Sequence, residues 1–244
     1  MTNQVKYEGR DLEAMSFAVN YHKWILSIFK PHLGRRVIEV GAGTGLFSEL
    51  LLNESLESLS LVEPSVDMHA ILEERIRNLT PGAKTNTYNA LFSEVATQIR
   101  ETHKPDSIVY VNVLEHIPDD VAELQLAHNT LDAGGRVFIF VPALQSLLGS
   151  FDKQIGHFRR YRLRQLEELC KTAGFKIVES RYMDFFGIAP WWIKFRLLRS
   201  STIEPQLVDI YDRFMLPIIK PLEASIKPPV GKNILLVAER TTHQ

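Results

Sequence analysis

Cysteine is almost absent. Cys170 is the only one among 244 residues, so no internal disulfide can staple the fold and a disulfide-framed secreted class is excluded. It sits in the helical stretch LEELCKTAGF, where a small buried hydrophobe is the expected role rather than a nucleophile. Excess charge of one sign is lacking too. Lys and Arg number 28 against 29 Asp and Glu, a net charge of −1, so no global field draws the chain to nucleic acid or to an anionic membrane. No apolar run reaches the roughly 20 residues that span a bilayer. The opening MTNQVKYEGRD is polar and unlike a signal peptide. A cytoplasmic protein is the expectation. There is no internal repeat and no low-complexity tract.

What remains is a composition of 45% hydrophobic and 23% charged residues, suited to one globular domain or one domain with a cap. Short apolar runs alternate with longer amphipathic ones from about residue 35. Strands are predicted at 36–41, 58–63, 84–89, 106–113, 136–141, 175–182 and 232–239, and helices at 45–54, 65–78, 92–102, 119–132 and 163–173. Several strands are apolar on both faces, as in a sheet covered on both sides. The alternation predicts an α/β fold: a mostly parallel seven-stranded sheet, with its binding crevice at the carboxyl ends of the strands.

Three segments break the alternation. A leading helix spans 10–29, with Phe17, Tyr21, Trp24, Ile25 and Ile28 at helical spacing. A long connection covers 144–162, and an aromatic-rich insertion covers 187–230. Connections of this length are usually functional. The predicted organisation is therefore a helical lid at 1–34, an α/β core at 35–186 with an active-site loop at 144–162, a helical cap at 187–230 and the final core strand at 231–244. Leu207, Ile210, Tyr211, Phe214 and Met215 share one helical face, read first as packing of the cap on the sheet.

The stretch VIEVGAGTG carries Gly41, Gly43 and Gly45, with Leu at 46. That is G-x-G-x-G, not the G-x-G-x-x-G of a dinucleotide fold. An acid, Glu39, lies two residues before the first glycine. It would repel a pyrophosphate and welcome an ammonium. The second strand ends in Glu63, 18 residues after Gly45, where a carboxylate can accept hydrogen bonds from both hydroxyls of a ribose. Adenosine plus a cation without phosphates is the chemistry of S-adenosylmethionine.

With E-x-G-x-G-x-G, the acid closing strand two and the extra last strand, the chain resembles class I S-adenosylmethionine-dependent methyltransferases over nearly its whole length. NVLEHIPDD at 112–120 resembles the strand-four motif of that family, and LDAGGRVFIFVPA at 131–143 the helix, turn and strand that follow. DKQIGHFRRYRLRQLEELCKTAGF and GIAPWWIKFRLLR resemble a bacterial subgroup often found beside glycosyltransferases. The resemblance implies a Rossmann-like fold and S-adenosyl-L-methionine as cofactor. It implies that Glu39, Gly41, Ala42, Gly43, Thr44 and Gly45 line the methionine end, with Glu63 on the ribose and Pro64 and Met68 near adenine. The family usually has an acid just after strand three. Here Asn89 or the backbone at Ala90 and Leu91 must serve, and Asn112 should face the sulfonium.

Methyl transfer needs position and a dry pocket more than a base. Where the acceptor is a weak acid such as an alcohol, His157 in GHFRRY or His116 in LEH could take its proton, with Tyr161 as an aromatic partner or core residue. Arg159 and Arg160, in a basic run from Lys153 to Arg164, either pair with nearby acids or grip an anionic acceptor. Trp191 and Trp192 could line an apolar acceptor pocket, and Tyr21 could close over the cofactor. WWIKFRLLR mixes aromatics with Lys194, Arg196 and Arg199, as interfacial helices do. The partner is expected to be a small molecule or a lipid- or sugar-linked acceptor, methylated on oxygen or nitrogen. Peripheral membrane contact is conceivable, nucleic acid is not expected, and no metal centre is expected. The competing readings are a nicotinamide oxidoreductase, which would need the missing glycine spacing; an aminopropyl transferase, which would need acids near strand four; and a partner protein that binds S-adenosylmethionine without catalysis.

Overall fold

The structure, a computed structural model, describes residues 18–79, 82–200, 202 and 204–241. Seven strands form one sheet: β1 (Arg36–Val40), β2 (Ser58–Val62), β3 (Lys84–Tyr88), β4 (Ser107–Val111), β5 (Arg136–Pro142), β6 (Phe175–Met183) and β7 (Asn233–Arg240). Their order is β3-β2-β1-β4-β5-β7-β6, with β7 antiparallel to both neighbours and the rest parallel. Composition explains the order. The near-continuous apolar runs of β4, β5 and β7 lie in the interior with the fully buried SLSLV of β2, covered on both faces. KTNTY and the polar half of FKIVESRYM are only half-buried and form the two edges.

Successive residues of each strand feed opposite cores, because side chains alternate across a sheet. One core joins Ile38, Tyr110, Ile139 and Leu236 to helices α4 (Phe92–His103), α5 (Asp120–Thr130) and α7 (Leu163–Thr172). The other joins Val37, Val109, Phe138 and Val237 to α1 (Val19–Phe29), α2 (Leu46–Leu52), α3 (Val66–Arg77) and α10 (Leu216–Ile226). Cys170 is buried in the first core, where burial pushes its thiol far up, so it packs and does not react. From β1 the chain winds outward through β2 to β3, then crosses to β4 on the other side of β1. That reversal opens a crevice above the carboxyl ends of β1 and β4.

The connection after β5 contains a short helix, α6 (Ser150–Gln154), and returns so that Ala143 pairs with Tyr161. The insertion holds α8 (Ile188–Trp191), which runs into a π-helical stretch Trp192–Leu197, and α9 (Pro205–Ile210), which runs into a second, Tyr211–Met215, before α10. Wide turns of this kind often mark functional positions. The expected start of the leading helix at 10–17, Phe17 included, lies outside the described residues. The described part, α1, has no side-chain cap of its own. Instead Asp212 of the insertion accepts the backbone N–H groups of Asn20 and Tyr21 at 2.9 and 2.8 Å, where the helix dipole favours an anion.

One expectation needs correction. The face formed by Leu207, Ile210, Phe214 and Met215 does not pack on the sheet; all four are about half exposed or more, and only Tyr211 turns inward. The sheet face beneath is already filled by α1 and α10, so this stripe is left at the surface.

Candidate functional site

A cavity of about 1440 Å³ opens above the switch point, between the sheet edge, the 144–162 connection and the insertion. Its first half is built on β1 and β2. Glu39 is 3% exposed, and Ser48 on α2 donates to its carboxylate at 2.5 Å. Burial pushes the Glu39 carboxyl up to about 8, with the neighbouring Glu63 adding to the rise and Ser48 opposing it. Above it the backbone turns through three left-handed glycines, at φ +70°, +55° and +83°. A Cβ on Gly41 would lie 2.5 Å from the Val113 side chain, and one on Gly45 would lie 2.8 Å from Leu72 on α3. Gly41 therefore lets the loop approach β4, while Gly45 lets α3 approach the loop.

Glu63 closes β2. Its carboxylate accepts the Gly43 N–H on one oxygen and the Ser65 N–H on the other, each at 2.8 Å. Burial raises its pKa and these two donors oppose the rise. Each oxygen keeps a lone pair for a further donor. Asn112, just past β4, holds φ +54°, a conformation rare for a side-chain-bearing residue. Its N–H is anchored to the Phe140 carbonyl at 2.8 Å.

The second half is held by buried ions. Asp152 on α6 is fully buried and receives Arg160 Nε at 2.8 Å and Nη2 at 2.7 Å, together with His157 Nδ1 and the Gly149 N–H. Burial pushes the Asp152 carboxyl up, but His157, Arg160 and Gly149 outweigh it and hold it below the usual range. Arg160 in turn lies 4.9 Å from the Trp191 ring centre. His157 presents its other nitrogen to Glu115 at 3.8 Å. The His116 ring meets His157 edge-on at 4.6 Å, and burial lowers its pKa to about 4. Burial pushes Glu115 up to about 7 against the pull of His157.

A third cluster ties α1 to the insertion and the start of β7. Asp184, fully buried and left-handed at φ +63°, accepts from Tyr21 at 3.1 Å, from Tyr211, and from the Gly187 N–H at 3.0 Å, and pairs with Lys232 at 2.6 Å. The Lys232 ammonium sits among the rings of Tyr21, Trp191 and Tyr211, 5.4 to 5.7 Å from their centres.

Of the residues expected from sequence, the cavity brings together Glu39, Gly41, Ala42, Gly43, Thr44, Glu63, Pro64, Met68, Leu91, Asn112, His116, His157, Tyr21, Arg160 and Trp191. The rest lie off the lining. Gly45 sits behind the loop. Asn89 turns its amide to the Glu63 and Pro64 carbonyls, so its side chain braces the end of β2, with Ala90 beside it. Tyr161 is fully buried, its hydroxyl donating to the Leu114 carbonyl and Asp120; it is a strut, not an acid or base at the site. Arg159 is tied to Asp120 at 2.5 Å and to the Pro118 carbonyl at 2.6 Å, facing away. Trp192 is 45% exposed on the outer surface, whereas Trp191 faces in. Arg160 is already paired inside the protein and has little charge left for an acceptor. Sequence reasoning missed Asp184, Asp212, Lys232 and Asn233, which come together from separate ends of the chain with no local spacing to betray them. Asp152 was visible only as an acid beside a basic run.

Residues 14–180 match a family described as a methyltransferase domain. The chain is 27% identical over 113 residues to a ubiquinone biosynthesis O-methyltransferase of Glaesserella parasuis, covering 43% of this chain and 44% of that protein. It is 27% identical over 118 residues to a protein of the same name from Bordetella avium, covering 48% and 46%. It thus spans a little under half the length of these relatives. In fold it is similar to a SAM-dependent methyltransferase of Archaeoglobus fulgidus (TM-score 0.59, 18% identity, 94% and 98% of the two chains). It is also similar to a Burkholderia thailandensis 1,6-didemethyltoxoflavin N1-methyltransferase solved with S-adenosylhomocysteine (TM-score 0.58, 19% identity, 96% and 83%). The match covers more than half of the chain and the seven-stranded sheet agrees with it: the chain belongs to the methyltransferase domain family, on the class I S-adenosylmethionine-dependent fold.

Proposed function

We propose that the protein is an S-adenosylmethionine-dependent methyltransferase acting on a hydroxyl of an apolar, lipid- or sugar-linked acceptor. The observation that carries the cofactor is the carboxylate pair around the glycine loop. Glu63 is preset by two backbone N–H groups with lone pairs to spare for two ribose hydroxyls, and Glu39 lies beneath the glycine loop that lines the same cavity. The cations of the lining, Arg160, Lys194 and Lys232, come from the connection after β5, the insertion and the start of β7, not from this half. A cationic, phosphate-free nucleoside fits that charge pattern. S-adenosylmethionine supplies an electrophilic methyl group on its sulfonium. The chain's own task is to hold the acceptor in line, exclude water, and offer the His157 and His116 nitrogens to its hydroxyl, with Asp152 fixing the His157 ring.

The apolar acceptor is supported by the second half of the lining, which includes Phe151, Trp191, Ile193, Phe195, Leu198, Leu207 and Val208. An oxygen acceptor is supported by the names of the relatives. The outer face of the insertion exposes Trp192, Leu197, Phe214 and Ile218 beside Arg196 and Arg213, which suits a peripheral contact with an anionic membrane. Among the described residues no helix is long and apolar enough to cross one. A member of the glycosyltransferase-associated subgroup would meet such acceptors at that surface.

Methyl-labelled S-adenosylmethionine incubated with the protein and a cell extract tests the proposal. Label partitioning into the organic phase is the expected result. Label in the aqueous phase would replace the apolar acceptor with a polar one, and no transfer at all, with the cofactor bound, would leave a binding protein. Flotation with anionic vesicles checks the membrane contact independently.

A further inference from the structure

Glu115 is the anomaly of the site. It is fully buried, and among the described residues neither carboxylate oxygen has a hydrogen-bond partner. An ionised or even neutral carboxyl in that state is costly. It is also not alone. One ligand atom each from Glu115, His116 and His157 lies within 4.8 Å of the others, and all three residues line the cavity.

We propose that Glu115, His116 and His157 bind one divalent transition-metal ion, which holds the acceptor's hydroxyl oxygen; this rests on the methyltransferase reading above. Two imidazoles and one carboxylate are a ligand set that zinc and its neighbours accept, and three protein ligands leave a position open for substrate. The histidines are already oriented as metal ligands usually are. His157 donates Nδ1–H to the ionised Asp152 at 2.9 Å, which leaves the Nε2 lone pair directed toward Glu115. His116 is hydrogen-bonded to the Gly156 main chain. Metal–ligand bonds of about 2.0–2.2 Å would require the three side chains to draw in slightly. All three residues line the same cavity as Asn112, which precedes Glu115 by three residues.

Such an ion would give the buried Glu115 carboxylate direct ligand bonds beyond the 3.8 Å pull of His157, and would give the acceptor site its selectivity for oxygen. With the two histidines serving as ligands in place of bases, an acceptor hydroxyl bound there gives its proton to solvent and stays as an oxyanion. Its lone pair then forms the O–CH₃ bond as the S–CH₃ bond of the donor breaks, the electron pair staying on sulfur. The products are the methyl ether, S-adenosylhomocysteine and one proton.

The test uses the full chain, stripped with chelator and dialysed, then titrated with Co²⁺ alone as an optical probe and with Zn²⁺ alone by calorimetry. One equivalent should bind, with the intense visible bands of four- or five-coordinate Co²⁺. Glu115→Gln and His157→Ala should each weaken uptake at least tenfold, and Asp152→Asn by about 10–100-fold through the lost orientation of His157. No stoichiometric uptake by the wild type, or equal uptake by folded Glu115→Gln and His157→Ala, overturns the site. If those variants do not fold, the wild-type spectrum decides: a weak octahedral spectrum overturns it. S-adenosylhomocysteine titrated into the metal-free protein separates the two claims. Its binding without metal uptake removes only the ion, whereas metal uptake without its binding removes the methyltransferase reading.

Discussion

The two halves of the cavity are built on different principles. The half on β1 and β2 is made of main chain and short-range contacts: three left-handed glycines, a carboxylate held by N–H groups two and twenty residues away, and a serine nine residues from Glu39. The half under the insertion is made of buried charges that meet across the chain, Asp152 with Arg160 and His157, and Asp184 with Lys232, Tyr21 and Tyr211. Backbone geometry tolerates little change and suits an invariant ligand. Side-chain ion pairs can be rearranged by substitution, which suits an acceptor that differs among proteins of one fold.

The comparison is broken most severely at Asp152. Asp152→Ala leaves the Arg160 guanidinium buried without its partner, and a loss of about 3–5 kcal/mol is expected in urea unfolding. A smaller loss would mean that water or Glu115 takes over the cation. In the first half the large effect is on binding. Glu63→Ala should weaken S-adenosylmethionine at least roughly tenfold by calorimetry, since two charge-assisted hydrogen bonds are removed, with little change in the acceptor KM.

Glu39 sharpens the contrast through pH. In the ligand-free fold it stays protonated up to about pH 8, whereas its ordinary value is 4.5. The stability it lends is therefore complete below pH 4.5 and is lost as pH rises toward 8. Thermal melts should fall across that window in the wild type and fall less in Glu39→Gln. Cofactor binding near neutral pH should release a proton, because an ammonium beside Glu39 favours the ionised form; binding heats that do not depend on the buffer would contradict this.

The link between α1 and the insertion is worth less. Asp212→Ala removes the acceptor for two N–H groups at the start of α1, and about 0.5–2 kcal/mol is expected in the same unfolding assay. Arg159→Ala should do least, under about 1 kcal/mol with an unchanged acceptor KM, since its partners are Asp120 and a carbonyl at a partly solvated corner off the cavity. A large rise in KM would put Arg159 back on the acceptor.

The strands and the helices between them were legible because each covered strand is an apolar run and each helix repeats its apolar face every three to four residues. Glu39, the glycines and Glu63 were legible because they act within a span of 25 residues. The sequence leaves Tyr161 and Arg159 open between a site role and a structural one, and the structure sets them and Trp192 off the cavity lining. An aromatic or cationic residue type fits a pocket, a strut and a surface equally well, and only its neighbours decide among them. Trp191 and Trp192 make the point: adjacent in sequence, one lines the cavity and the other is exposed, because a helix turns about 100° per residue.

The sequence alone determined the sheet, the crevice and the carboxylate chemistry at its first half, since strand pattern, turn glycines and an acid at a strand end are local properties. Only the tertiary structure decided which charges are buried together. Asp152 lies next to Arg160 because the 144–162 connection folds back on itself. Asp184 lies next to Lys232 because β6 and β7 are paired in register. The energy of a buried charge depends on neighbours distant in the chain, and no spacing in the sequence records them.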